Sequence, residues 1–89
     1  MYRKSDYVKV SKLYNEMHLM HLGTGVCYKL NLIATLFWEQ ILLAQSNEEA
    51  ISNLLREIEG EKEEIVEAYA NFKSELLKEE LIKAGTHLS

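Results

Sequence analysis

No proline occurs anywhere in the 89 residues, although usage of about 5% would place roughly four in a chain of this length. Only glycine and polar turn residues are left to stop a helix. The spacing of the apolar residues predicts three helices. Ser5 caps the first, with Asp6 at the positive end of its dipole. Tyr7, Val10, Tyr14, Met17 and His21 then recur at alternating steps of three and four, with Leu13 and Met20 beside them, a continuous stripe on a helix of about 6–22. Gly23 supplies its C-cap.

Thr24 and Gly25 form the connection to a second helix, about 25–45, and a link this short favours an antiparallel neighbour. Val26, Leu30, Ile33, Phe37 and Ile41 line one side, while Leu32, Leu36, Trp38, Leu42 and Leu43 fill much of the rest. A helix apolar on nearly every side needs cover from more than one direction. Ser46 and Asn47 followed by Glu48 and Glu49 mark the next helix start. Ile51, Ile58, Ile65 and Phe72 keep a seven-residue phase across Gly60, which predicts one helix over 47–84 with a kink or break at that glycine. Gly85 caps it, and residues 86–89 are expected to fray.

The expected fold is thus all-α: residues 1–89 as a single helical domain, a three-helix antiparallel bundle with a long, coiled-coil-like C-terminal helix. At about 1.5 Å per residue, a helix over 47–84 spans roughly 57 Å, whereas an 89-residue globule has a radius of gyration near 12 Å. That mismatch predicts a homo-oligomer, a dimer or an assembly of dimers, covering apolar surface at Leu36, Trp38, Leu42, Ile51, Leu55, Ile58, Ile65, Tyr69, Phe72 and Leu76.

Composition removes several classes of function. A single cysteine, Cys27, cannot form an intrachain disulfide, so a reducing, cytoplasmic compartment is expected. The most apolar stretch, 30–44, is broken by Glu39 and Gln40 and is shorter than the ~20 residues a bilayer needs, and no signal peptide is evident. With 47% apolar and 27% charged residues the chain is ordinary globular material. The first 30 residues carry five basic and two acidic side chains, the remaining 59 five and twelve. A net charge of −4 argues against nucleic-acid binding, which needs clustered cations.

No catalytic constellation is present, because nothing supplies nucleophile, base and orienter together. His18 and His21 share a helix face if the segment is helical, but further metal ligands are few and neither HExxH nor ExxH occurs. No metal or cofactor is expected. The Gly23-Thr24-Gly25 turn is neither a Walker loop nor GxGxxG, and a plain turn accounts for it. Cys27 is a buried thiol on base rates, and the acidic run from Glu57 to Glu67 is a solvated face. The leading expectation is a non-enzymatic interaction protein, an adaptor, regulator or inhibitor that binds another protein. The alternative is an oligomer holding a small anionic ligand such as a nucleotide through Tyr7, Tyr14, His18, His21 and Lys29, whose aromatic faces and cations suit such a ligand.

Overall fold

Val8 and Val10 alternate with Lys9 and Ser11, and Met17, Leu19 and His21 alternate with Glu16, His18 and Met20. A period of two is that of a strand with one buried face. In the computed structural model, which describes residues 2–14 and 16–85, this region is indeed sheet. The order is β1 (Tyr2–Lys4), β2 (Val8–Leu13), β3 (Glu16–His21), β4 (Cys27–Leu30), α1 (Leu32–Leu43), α2 (Asn47–Glu57), α3 (Lys62–Lys78) and β5 (Ile82–Ala84).

β2, β3 and β4 form an antiparallel sheet in that order, and β1 pairs with β5 in a separate two-stranded ribbon. The ribbon joins the two ends of the described chain: Tyr2 lies opposite Ala84, and the Ser5 amide donates to the Leu81 carbonyl at 3.0 Å. Val8, Met17, Leu19 and Leu30 turn inward from the sheet onto the helices. There they meet Phe37, Trp38 and Ile41 of α1, Leu54 of α2, and Ile65, Tyr69 and Leu76 of α3 in one core. Phe37 sits edge-on to Tyr69 with ring centroids 5.6 Å apart, and tilted against Phe72 at 5.8 Å. Such pairs add about 0.5–1.5 kcal/mol to the burial itself.

The all-α, coiled-coil-like bundle is therefore replaced by a mixed α/β fold, and each expected helix changes in a specific way. The segment 6–22 is the β2–β3 hairpin, with Leu13 opposite Glu16. Gly23 and Thr24 belong to the turn before β4 rather than to helix caps. The second helix begins at Leu32, capped by the Asn31 side chain, which accepts from the Ala34 amide at 2.8 Å. It is not buried all round, since Leu32 and Leu43 are exposed.

The third helix breaks at Gly60. Ser46 caps α2 by accepting from the Glu49 amide at 3.0 Å, α2 ends at Glu57, and Gly60 takes a φ of +150° between the two helices. The heptad phase survives the break because both helices bury one face in the same core. α3 alone spans about 26 Å, well within extents of 36 × 35 × 20 Å. Neither helix is too long for the chain's own globule, so helix length no longer calls for a second copy. α3 ends at Lys78, so Gly85 caps no helix. The expected fraying of 86–89 lies outside the described residues. No helix among the described residues is long and apolar enough to cross a membrane.

Candidate functional site

Antiparallel strands bond through alternate residues, and the residues between them point their amides and carbonyls the other way. The His21 amide donates to the Val26 carbonyl at 2.9 Å. In the same register Leu19 opposes Tyr28 and Met17 opposes Leu30, so these pairs carry the β3–β4 ladder. The N–H and C=O groups of Cys27 and Lys29 consequently face the open edge of β4.

The opposite edge follows the same rule with a different result. The Leu22 amide donates to the Tyr7 carbonyl at 2.7 Å, so Lys9 and Ser11 bond to β3, and Val8, Val10 and Lys12 face outward. Val8 is already occupied: its amide donates to the Ser5 carbonyl at 3.1 Å, and Lys4 Nζ donates to its carbonyl at 2.7 Å. Lys9 and Lys12 flank what remains, a common defence of edge strands. β4 is therefore the more open edge.

The C-terminal end of α3 approaches β4 at Tyr28, close to Glu75 and Glu79. Phe72, Glu75 and Glu79 follow a spacing of three and four on one face of the chain's C-terminal helix end, and Phe72 is half-buried against the core. Tyr28, on the inner face of β4, reaches this region. Burial pushes its hydroxyl pKa up, and the nearby Glu79 and Glu75 carboxylates push it further in the same direction. On the outer face, Lys29 pairs with Glu16 at 3.2 Å, and His18 lies 3.8 Å from the same carboxylate.

A cavity of about 610 Å³ lies under the β3–β4 turn, lined by Ser5, Tyr7 and His21 on one side and by Leu77, Glu80 and Ile82 on the other. His21 is buried and its Nδ1 accepts from the Gly23 and Thr24 amides at 3.1 and 3.2 Å. Accepting there fixes the neutral tautomer with the proton on Nε2. Gly23 belongs to this arrangement, because a Cβ there would stand 3.0 Å from His21 Cε1.

The residues singled out for an anionic ligand fall into separate groups. Tyr7 stacks on His21 with centroids 6.1 Å apart, whereas His18 and Lys29 are register partners on the outer sheet face. His18 and His21, three apart on a strand, point to opposite faces. Tyr14 stands at the hairpin tip, 92% exposed. Among the residues named for an interface between copies, Trp38, Ile65, Tyr69 and Leu76 are buried in the chain's own core. Leu36, Leu42, Ile51, Leu55, Ile58 and Phe72 pack partly against that core. Cys27 is exposed, not buried. The open β4 edge escaped the sequence reading because it exists only once β4 is a strand. Its signal was the alternation in 16–21.

Comparison with known proteins shows the fold and the family. Two solved structures share the fold: TbiB1 in complex with the TbiA(beta) leader peptide, 21% identical, and a lasso peptide synthetase B1 complexed with the leader peptide, 20% identical. Each superposes with a TM-score of 0.82 over 98% of its own chain, covering 94% and 93% of this one. No curated protein matches by sequence. The profile described as "Coenzyme PQQ synthesis protein D (PqqD)" matches residues 16–82, a span that runs from β3 into β5 and takes in the open edge, so the chain belongs to the PqqD family.

Proposed function

We propose that this chain is a non-enzymatic peptide-binding domain that accepts an extended segment of another polypeptide as a fourth strand on β4. The observation that carries this reading is the outward-facing pair Cys27 and Lys29, which offers two amides and two carbonyls beside α3. Strand addition draws affinity from such main-chain bonds and specificity from alternate side chains. Both structural neighbours were solved with a leader peptide bound, which supports a peptide of that kind as the partner here.

Magnitudes define what the peptide must bring. Four hydrogen bonds at a net ~0.5–1.5 kcal/mol each supply about 2–6 kcal/mol, short of the ~8 kcal/mol that micromolar binding requires. One or two apolar side chains buried against Tyr28 and Phe72 would close the gap at about 1.5–3 kcal/mol each. The peptide is thus expected to alternate, with apolar residues toward the helices.

Hydrogen exchange tests this directly. A random peptide library selected on the full chain yields ligands, and the best of them is added to isotope-labelled protein. The Cys27 and Lys29 amides should gain protection while Val10 and Lys12 stay unchanged. Protection at Val10 and Lys12 instead, or at neither edge, overturns the proposal.

A further inference from the structure

We propose that the cavity under the β3–β4 turn is a subsite for a side-chain carboxamide, an Asn or Gln of the bound peptide. This rests on the peptide reading above, and it adds a chemical preference at a second place. The turn that forms one wall, Gly23 and Thr24, leads directly into β4. The other wall includes Glu80, the residue after Glu79, whose carboxylate acts on Tyr28. β4 itself does not line the cavity, but a peptide strand that extends beyond the Cys27 end of β4 runs toward the Gly23–Thr24 turn that does.

The lining selects the ligand. His21 has spent Nδ1 on the turn, which leaves Nε2–H as a donor with no partner among the described residues, on a side chain that is 6% exposed. Ser5, 8% exposed, accepts from the Tyr7 amide at 3.3 Å and keeps its hydroxyl proton free to donate. The floor is thus donor-rich. At the rim stand Glu80 and Lys83, and Lys83 lies 3.6 Å from Asp6.

These charges leave no net positive field. A carboxylate would satisfy the floor but would sit beside Glu80 without a cation of its own, and an unpaired anion is expensive to desolvate. A carboxamide meets both requirements. Its oxygen accepts from His21 and Ser5, and its NH₂ group donates to Glu80. Leu77, Ile82 and Ala84 take the methylene stem.

The test uses the isotope-labelled full chain and two small probes, N-acetyl-glutamine methylamide and N-acetyl-glutamate methylamide. The glutamine probe should shift the Gly23, Thr24 and Lys83 amides saturably. The glutamate probe should bind at least about five-fold more weakly, the worth of one hydrogen bond. Glu80→Ala should narrow or reverse that ranking, since it removes both the acceptor and the repulsion. Because Glu80 is exposed, the variant keeps the fold testable where Ser5→Ala could unsettle the core. Equal or tighter binding of the glutamate probe to the wild type, or no saturable shift at those amides, overturns the subsite. Neither probe needs the β4 edge, so a failure of strand addition shows separately at Cys27 and Lys29.

Discussion

Replacing Lys29 by proline separates the two sides of β4. The Lys29 amide faces the open edge, whereas the ladder to β3 runs through Tyr28 and Leu30, so proline removes no internal hydrogen bond. Edge strands tolerate proline when its nitrogen faces solvent. For an added strand the loss is larger than one bond in four, because the ring also fills the space where the partner carbonyl would approach. One lost bond contributes about 0.5–1.5 kcal/mol, and with the steric term the expected penalty is about 1–3 kcal/mol, or roughly 5- to 150-fold in Kd. Lys29 also pairs with Glu16 on an exposed face, which is worth about 0–1 kcal/mol of stability. Lys29→Ala is the control, since it loses the ion pair and keeps the amide. Fluorescence anisotropy with a library-selected peptide should show Lys29→Pro weakened and Lys29→Ala near wild type, both with native circular dichroism. Wild-type affinity in Lys29→Pro, with binding lost in Val10→Pro, would place the peptide on β2 and refute the reasoning.

Gly60→Ala discriminates the broken helix from a continuous one by sign. In a continuous helix it would stabilise by about 1 kcal/mol, but at a φ of +150° an alanine is strained by about 1–3 kcal/mol. Its Cβ meets only ordinary contact with Ile65 at 3.6 Å, so urea unfolding should report a lower midpoint from backbone strain alone. Tyr28 and Tyr69 should both titrate above the usual tyrosine range when phenolate absorbance is followed, Tyr28 through burial and then Glu79 and Glu75, Tyr69 through burial and then Tyr2. A raised folded pKa means the stabilisation is complete below the unfolded value of about 10 and is lost as pH rises through the folded one. Glu79→Gln should move the Tyr28 step down and leave Tyr69 in place. His21→Phe strands the Gly23 and Thr24 amides and should destabilise by about 1–3 kcal/mol, whereas His21→Asn, which retains an acceptor, should recover part of that loss in the same urea assay.

Helical spacing is legible from Phe37 to Leu76, although it points Trp38, Ile65, Tyr69 and Leu76 at a second copy rather than at the chain's own core; the sheet is not legible, for a physical reason that particular residues display. Tyr7, Val10, Tyr14, Met17 and His21 satisfy a helical stripe, yet Val8, Val10, Met17, Leu19 and His21 satisfy strand alternation equally well. Two periods coexist because β2 is exposed along most of its length, and only Val8 on it is buried. An edge strand with so little burial imposes almost no pattern. What separates the readings is local chemistry: β-branched Val8 and Val10, and a tyrosine-asparagine pair between two alternating runs, favour a hairpin. The missing proline carries little information between them, since proline is disfavoured at the hydrogen-bonded positions of a strand as well as inside a helix.

The same logic explains why the open β4 edge is not legible before the fold. In the proposed strand addition Cys27 and Lys29 act through their backbone groups, and any residue but proline supplies those. Side-chain identity therefore drew attention to Lys29 as a cation for an anionic ligand, while its charge is held by Glu16 on the outer face. Its place at the edge follows from the register that His21 and Val26 set, three residues before Lys29. His21 stands out in the sequence as a histidine on an apolar stripe. Its Nδ1 organises the turn that delivers β4, so its effect on binding at the edge is expected to pass through strand position rather than through contact with the peptide backbone. Substitutions at His21 should accordingly change exchange protection of the Tyr28 amide, which bonds to β3, in the free protein, and substitutions of the Lys29 side chain should not.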